Sequence, residues 1–398
     1  MSQAINVLQV IPSLSPRLGG PTAAMLGLSK SLRNMGVSVQ ILTTNDDADN
    51  RLDVPVNRLI SYQGIPTTFL PRTVRAKEFI YSHQLAKWHR QYLNNFDLVH
   101  THYLFSHLPS FTARAARQRN IPYLMRPLGQ LTPWALSQSA NKKKIYTQLL
   151  ERRNLEQAAA IYCTSPEEAS NVRTFGLRTP TVTLPLGVYA PEPIRDAREK
   201  LHQLYGIPVE LPVVLFLSRL HHKKQPEVLI RAVEQLLKKQ PCHIVLAGTG
   251  EPQYVEKLKK LVGALDIQGS VTFAGFVSGY SKNLLLQGSD IFALPSHSEN
   301  FGIAVAEALI AGLPVVITPG IQISEEINAA KAGLVMDANV SDFSSALYQL
   351  MTMPHLRRQL VANGLSLAKT RYSWASIAQQ LTPFYREMLS LKQTRASA

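Results

Sequence analysis

Ten short apolar runs constrain this chain more than anything else in it. They lie at 4–11, 37–43, 96–101, 122–125, 160–164, 213–218, 242–247, 271–274, 290–294 and 314–318, separated by stretches with helical spacing. Short apolar runs alternating with amphipathic helices indicate parallel strands covered by helices on both faces. The runs form two sets of five, and between them stands the proline-rich segment Pro185-Leu186-Gly187-Val188-Tyr189-Ala190-Pro191-Glu192-Pro193, read as a linker. At 398 residues the chain has the length of two domains. The expected boundaries are 1–187 for the first, 188–374 for the second, and 375–398 for a terminal amphipathic helix interrupted near Pro383.

Two cysteines, Cys163 and Cys242, give no disulfide framework and suit a reducing compartment. No run approaches the roughly 18 apolar residues of a membrane span. The first apolar run lacks the basic flank and small-residue cleavage site of a leader, so a cytoplasmic location is expected. The formal net charge is +15, unevenly spread: residues 1–190 carry +11 and residues 191–398 only +4. A basic first half suits an anionic partner, either a phosphate-bearing acceptor or the anionic inner face of the plasma membrane. Arg72, Arg75, Lys77, Lys87 and Arg90, interleaved with Phe79, Tyr81 and Trp88, would meet such a surface. No nucleic-acid module is recognisable, so nucleic acid is not an expected partner.

The chemistry concentrates in Ser298-Glu299-Asn300-Phe301-Gly302-Ile303-Ala304-Val305-Ala306-Glu307-Ala308, where seven residues separate two glutamates. A buried-strand pattern precedes it and a short apolar helix follows. Glu299 is thereby placed in a loop at a strand's carboxyl end, with Glu307 about a turn into the helix. The amides of Phe301, Gly302 and Ile303 would point from the helix's positive end toward an anionic or polyhydroxyl ligand. Two carboxylates beside an anion-binding terminus suit a sugar nucleotide, whose hydroxyls need acceptors and whose diphosphate needs donors.

This element resembles the E-x7-E signature of retaining glycosyltransferases with the GT-B fold, glycosyltransferase family four. The resemblance implies an α/β protein with two facing Rossmann-like domains and a ligand cleft between them. Leu217-Ser218-Arg219-Leu220-His221-His222-Lys223-Lys224 resembles the family's G-R-L-x-x-x-K-G element, with Ser218 and Gln225 in place of its glycines. Arg219 and Lys224 would hold the donor diphosphate, Glu299 the transferred sugar and Glu307 the ribose. Gly19 and Gly20 fall at the family's glycine loop, and His102 at the histidine that contacts the donor sugar. His100 is expected on the other side of that strand. Gly248 is placed beside the diphosphate, and Phe276 and Val277 beside the base.

Arg126-Pro127-Leu128-Gly129-Gln130-Leu131-Thr132-Pro133-Trp134, followed by Lys142-Lys143-Lys144, resembles an acceptor-side element of exopolysaccharide and lipopolysaccharide members. There Arg126 would reach a phosphate and Trp134 would stack on a sugar. The implied activity is metal-independent hexosyl transfer with retention from a nucleotide-diphosphate sugar, UDP-glucose or similar. The implied acceptor is a glycan or lipid-linked molecule of bacterial surface polysaccharide synthesis. No cofactor and no metal are expected. Asp47-Ala48-Asp49 matches a metal-binding D-x-D by spacing, but is read as a solvated acidic loop. The alternatives are a sugar-nucleotide epimerase of the same fold and a non-catalytic sugar-nucleotide binding protein.

Overall fold

The computed structural model describes residues 4–397 apart from 19, 77–78 and 138–139; the side chains of 134, 140–142 and 391–397 also lie outside the description. The chain divides into two compact units, residues 1–187 with 374–398 and residues 188–373. Trp374, expected at the end of the second domain, belongs to the first.

The first unit is built on an eight-stranded sheet. Its strands are β1 (Asn6–Ser13), β2 (Ser38–Thr44), β3 (Leu59–Tyr62), β4 (Ile65–Leu70), β5 (Leu98–His102), β6 (Tyr123–Arg126), β7 (Ala160–Cys163) and β8 (Thr181–Thr183). The order is β8-β7-β6-β5-β1-β2-β4-β3, parallel except for the antiparallel β3–β4 pair. Helices α1 (Gly20–Asn34), α2 (Leu85–Tyr92) and α3 (His107–Gln118) cover it. β3 and β4 escaped the sequence reading because Ile65–Leu70 carries a proline and two threonines where a strand buried on both faces is usually aliphatic.

The acidic stretch is exposed at Asp49 and Asp53, as expected, but its base is structured and anchored. Asp46 and Asp47 pair with Asn50 and Arg51 in a small antiparallel hairpin. Asp46, buried to 3% exposure, is ion-paired with Arg72 at 2.8 Å and Arg75 at 3.8 Å. Asp47 accepts a hydrogen bond from Ser15 Oγ and lies 3.5 Å from Arg17. The hairpin therefore braces the loop that follows β1.

The second unit has six parallel strands: β9 (Val213–Leu217), β10 (His243–Ala247), β11 (Val271–Gly275), β12 (Ile291–Leu294), β13 (Val315–Ile317) and β14 (Leu334–Val335). Their order is β11-β10-β9-β12-β13-β14. Every residue of β9, β10, β12 and β13 is buried. That is why these strands appear as unbroken apolar runs.

In both sheets the chain winds outward one way from one central strand and then the other way from its neighbour. The reversal lies between β1 and β5 in the first sheet and between β9 and β12 in the second. Loops leaving the carboxyl ends of strands diverge at such a point, and the crevice they leave is the usual ligand position of open α/β sheets.

The terminal helix, Trp374–Ser397, runs continuously through Pro383. Its Trp374, Ile377, Ala378, Leu381, Tyr385 and Met388 join Val7, Leu28, Leu98 and Leu124 in one apolar cluster of the first unit. Trp374 is clamped between two glycines. A Cβ on Gly27 would meet the indole at 2.3 Å, and one on Gly187 at 2.1 Å. Gly27→Ala should therefore destabilise the first unit by about 1–3 kcal/mol. Gly20→Ala, in the same unit and with nothing within 4 Å of the added carbon, should stay within about 0.5 kcal/mol. The readout is convenient, because Trp88, Trp134 and Trp374 all lie in the first unit. Denaturant melts followed by tryptophan fluorescence report that unit alone, and an unshifted Gly27→Ala midpoint would contradict the packing argument.

Candidate active site

The second unit's switch point is furnished by two loops, Ser218–Gln225 after β9 and Pro295–Gly302 after β12. They are tied together by backbone: Lys223 O accepts from His297 N at 2.8 Å and from Ser296 Oγ at 3.2 Å. Across them Lys224 Nζ meets Glu299 Oε1 at 2.5 Å. Lys224 is only 7% exposed. Burial pulls its pKa below the ordinary lysine value, with Glu299 pulling the other way. Arg219 adds a second positive charge close enough to lower Lys224 further. It is exposed and forms no ion pair among the described residues. Lys224 and Glu299, expected to hold separate parts of a ligand, are partners of one another.

Gln225 shows how the loop manages without its expected glycine. It adopts a left-handed conformation, φ 48° and ψ 45°, which glycine occupies without strain. Ser218 needs no such geometry; instead the glycines opposite it matter. A Cβ on Gly248 would lie 1.9 Å from Ser218 O, and one on Gly250 2.1 Å from Leu220 O. Gly248 is therefore required for close backbone packing of the two loops, whatever ligand lies beside it.

Helix α4 (Ile303–Ile310) starts at Gly302, whose φ of 86° turns the chain into it. Phe301 is 3% exposed and packs edge-on against Tyr372, ring centroids 5.6 Å apart. Its side chain anchors the loop, leaving the amide as its contribution to a ligand. Glu307 is held by Lys282 Nζ at 2.6 Å. Lys282 escaped the sequence reading because nothing near it in the chain marks it. Phe276, at the end of β11, is 67% exposed, and Val277 beside it is half-buried.

In the first unit, Gly20 opens α1, while Gly19 lies outside the described residues. His102 is 2% exposed and its Nε2 donates to Gln9 Oε1 at 2.6 Å. His100 faces the same side as His102, the rings stacked 4.4 Å apart. This corrects the expectation, because strand side chains repeat every two residues. Gln9 Nε2 donates to the Tyr385 hydroxyl at 3.3 Å, and that hydroxyl lies 2.8 Å from His100 Nδ1. Arg126, 1% exposed, places its guanidinium 4.3 Å from the Tyr162 ring centroid.

Four buried polar atoms of this cluster lack a hydrogen-bond partner: His100 Nε2, Arg126 Nε and Nη2, and Tyr162 Oη. So many orphans in one place mark a position where a polar group from outside would be stabilised. Burial, reinforced by Arg126, holds both histidines well below their ordinary pKa, hence neutral. Trp134 lies in the short helix Pro133–Ser137, its side chain outside the description.

Comparison with known proteins settles the family. Residues 197–366 match the model described as "Glycosyl transferases group 1", and residues 19–187 match "Glycosyl transferase 4-like domain". The chain is a group 1 glycosyltransferase. It is 26% identical to D-inositol 3-phosphate glycosyltransferase 2 of Catenulispora acidiphila, across 95% of this chain and 92% of that one. It is also 26% identical to D-inositol 3-phosphate glycosyltransferase of a Nocardioides species, across 92% and 85%. Among solved structures, sucrose-phosphate synthase from Thermosynechococcus elongatus superposes with a TM-score of 0.75 at 20% identity, covering 97% of this chain and 100% of that one. Anabaena HepE in complex with UDP and glucose gives 0.75 at 18%, covering 96% and 100%. These likenesses give this glycosyltransferase the GT-B fold.

The buried groups of the first unit predict an acid response with a definite sign. His89, His100, His102 and His107 all have pKa values lowered by burial, His89 to about 3 and His107 to about 4. Unfolding therefore takes up protons below about pH 6.5, and stability falls as pH falls; His89 alone contributes about 1.4 kcal/mol of loss by pH 5.5. Glu151 opposes this. Burial raises its carboxyl to about 7, so the folded state gains between pH 7 and about 4.5. The fluorescence midpoint should drop from pH 7.5 to 5.5, and drop further in Glu151→Gln, which removes the opposing group. A smaller drop in that variant would refute the assignment.

Proposed function

We propose that this glycosyltransferase transfers a hexose from a nucleotide-diphosphate sugar, with retention of configuration and without a metal ion. The acceptor in this reading is a phosphate-bearing glycan or lipid-linked molecule. The observation that carries the proposal is the switch-point constellation of the second unit. Lys224 pairs with Glu299 in the loop that leads into α4, exposed Arg219 lies close enough to act on Lys224, and Glu307 stands one turn into the helix. A diphosphate leaving group gathers negative charge as the sugar departs. Fixed cations and helix amides stabilise that charge without reorganising, and in many enzymes this electrostatic effect supplies most of the rate enhancement. Arg219 offers a planar fork for phosphate oxygens and Lys224 a point charge. Glu299 and Glu307 supply acceptors for sugar and ribose hydroxyls. The departing phosphate takes the acceptor's proton on the same face.

For the acceptor, the unpartnered guanidinium atoms of Arg126 support a phosphate, while neutral His102, whose Nε2–H is given to Gln9, keeps Nδ1 as an acceptor for a sugar hydroxyl. The relatives in Catenulispora and Nocardioides carry inositol 3-phosphate in their names, which agrees with a phosphorylated acceptor. HepE has been solved with UDP-glucose, which supports a uridine nucleotide donor. A basic first unit would also favour peripheral contact with an anionic membrane if the acceptor is lipid-linked.

The test is transfer from UDP-glucose, with thermal shift across nucleotide sugars to confirm the donor. Arg219→Ala or Lys224→Ala should lower transfer at least about tenfold, equivalent to roughly 1.4 kcal/mol, and Lys223→Ala much less. Arg219→Ala is the cleaner probe, since Lys224→Ala also strands Glu299. Equal losses at Lys223 and Lys224 would defeat the reading. Transfer should persist in EDTA; activity lost to the chelator and restored by manganese or magnesium would overturn metal independence.

A further inference from the structure

Between them, α2 and α3 form an open cavity of about 310 Å³ at the surface of the first unit. That reaches the lower range of small-molecule sites. Its wall is apolar, formed by Leu85, Ala86, Phe111 and Ala115, and three arginines line it, Arg90, Arg114 and Arg119. No carboxylate lines it, and among the described residues none of the three forms an ion pair. The sequence explains the imbalance: between Asp97 and Glu151 there is no aspartate or glutamate. Among the described residues, this concentration of cations has no carboxylate paired with it.

A second, independent observation is His107, which also lines the cavity. It is 8% exposed and its Nδ1 has no hydrogen-bond partner. Its ring is fixed between Tyr81, at 4.4 Å, and Phe111, at 4.7 Å. His89, by contrast, is satisfied by Thr112 Oγ1 at 3.0 Å. A cavity with arginines on one side, an apolar wall on the other and a buried histidine packed at its edge suits a ligand with both characters.

We infer that the α2–α3 cavity binds a small phosphate ester, its phosphate held by Arg90, Arg114 and Arg119 and its apolar body lying along Leu85, Phe111 and Ala115. The fit is chemical. Guanidinium forks match phosphate oxygens, and a flat or aliphatic substituent covers the wall without needing hydrogen bonds. The site is separate from the residues proposed for sugar transfer.

Phenyl phosphate is a suitable probe, titrated by calorimetry against the full chain. Saturable binding is expected, weakening at least about tenfold in the double variant Arg90→Ala/Arg114→Ala and in Ala86→Asp, and unchanged in Arg219→Ala. Arg90, Arg114 and Ala86 are exposed helix positions, so the fold should tolerate these changes; an unaltered fluorescence melt verifies it. Inorganic phosphate should bind more weakly than phenyl phosphate, because it leaves the wall bare. No binding, binding kept by both cavity variants, or equal affinity for inorganic phosphate would each overturn the inference. So would a chain that ignores phenyl phosphate but sediments with phosphatidylglycerol vesicles through Arg90 and Arg114, since the arginines would then belong to a membrane surface.

Discussion

A lysine ammonium almost removed from water must find a negative charge nearby or give up its proton. Lys224 finds Glu299, and much of the second unit's loop geometry follows from that requirement. The pair needs two loops, from neighbouring strands β9 and β12, brought within hydrogen-bond reach. That in turn needs Lys223 O to bind the backbone of His297 and glycine at 248 and 250 so that the β10 loop can lie flat against them. A buried pair of this kind adds little net stability, because desolvation offsets most of its attraction. What it provides is a charge held in one place with its side chain already ordered, so binding a diphosphate need not immobilise it again.

The first unit's interior solves the opposite problem. Its buried cation, Arg126, forms no ion pair among the described residues. The guanidinium rests on the face of Tyr162, and the neighbouring histidines stay neutral instead of adding charge. Such an arrangement is poorly satisfied in isolation, and sites with that property are where function and stability diverge.

How much was legible depended on distance along the chain. The strands of both sheets that are buried on both faces were visible as apolar runs, and the E-x7-E and Arg219–Lys224 elements are local, so their placement at strand ends could be read directly. Gln9, Tyr385, Glu151 and Lys282 could not. Gln9 and Tyr385 stand 376 positions apart, and Glu151 reaches back 46 positions to cap Phe105 N. Still, Gln9 left a trace, a single amide in the otherwise apolar run Val7-Leu8-Gln9-Val10-Ile11, since a polar residue at the centre of a buried strand needs a partner. The acidic stretch at Asp47–Asp49 was misjudged because the arginines that hold its neighbour Asp46, Arg72 and Arg75, come from more than twenty positions downstream. His100 was misplaced by a simple slip of period, since residues two apart on a strand share a face.

The clamped indole of Trp374 has a bearing on how this protein is made. The first unit's cluster of Val7, Leu28, Leu98 and Leu124 is closed by residues from 374 onward, while the second unit is encoded entirely in between. A ribosome must therefore synthesise residues 188–373 before that cluster can be covered, roughly 10–40 s at 5–20 residues per second. During that interval the second unit can fold to completion while the first waits with an apolar groove open along α1. The order of synthesis and the order of completion are reversed, and the slot between Gly27 and Gly187 is where the earlier half of the chain is finally sealed.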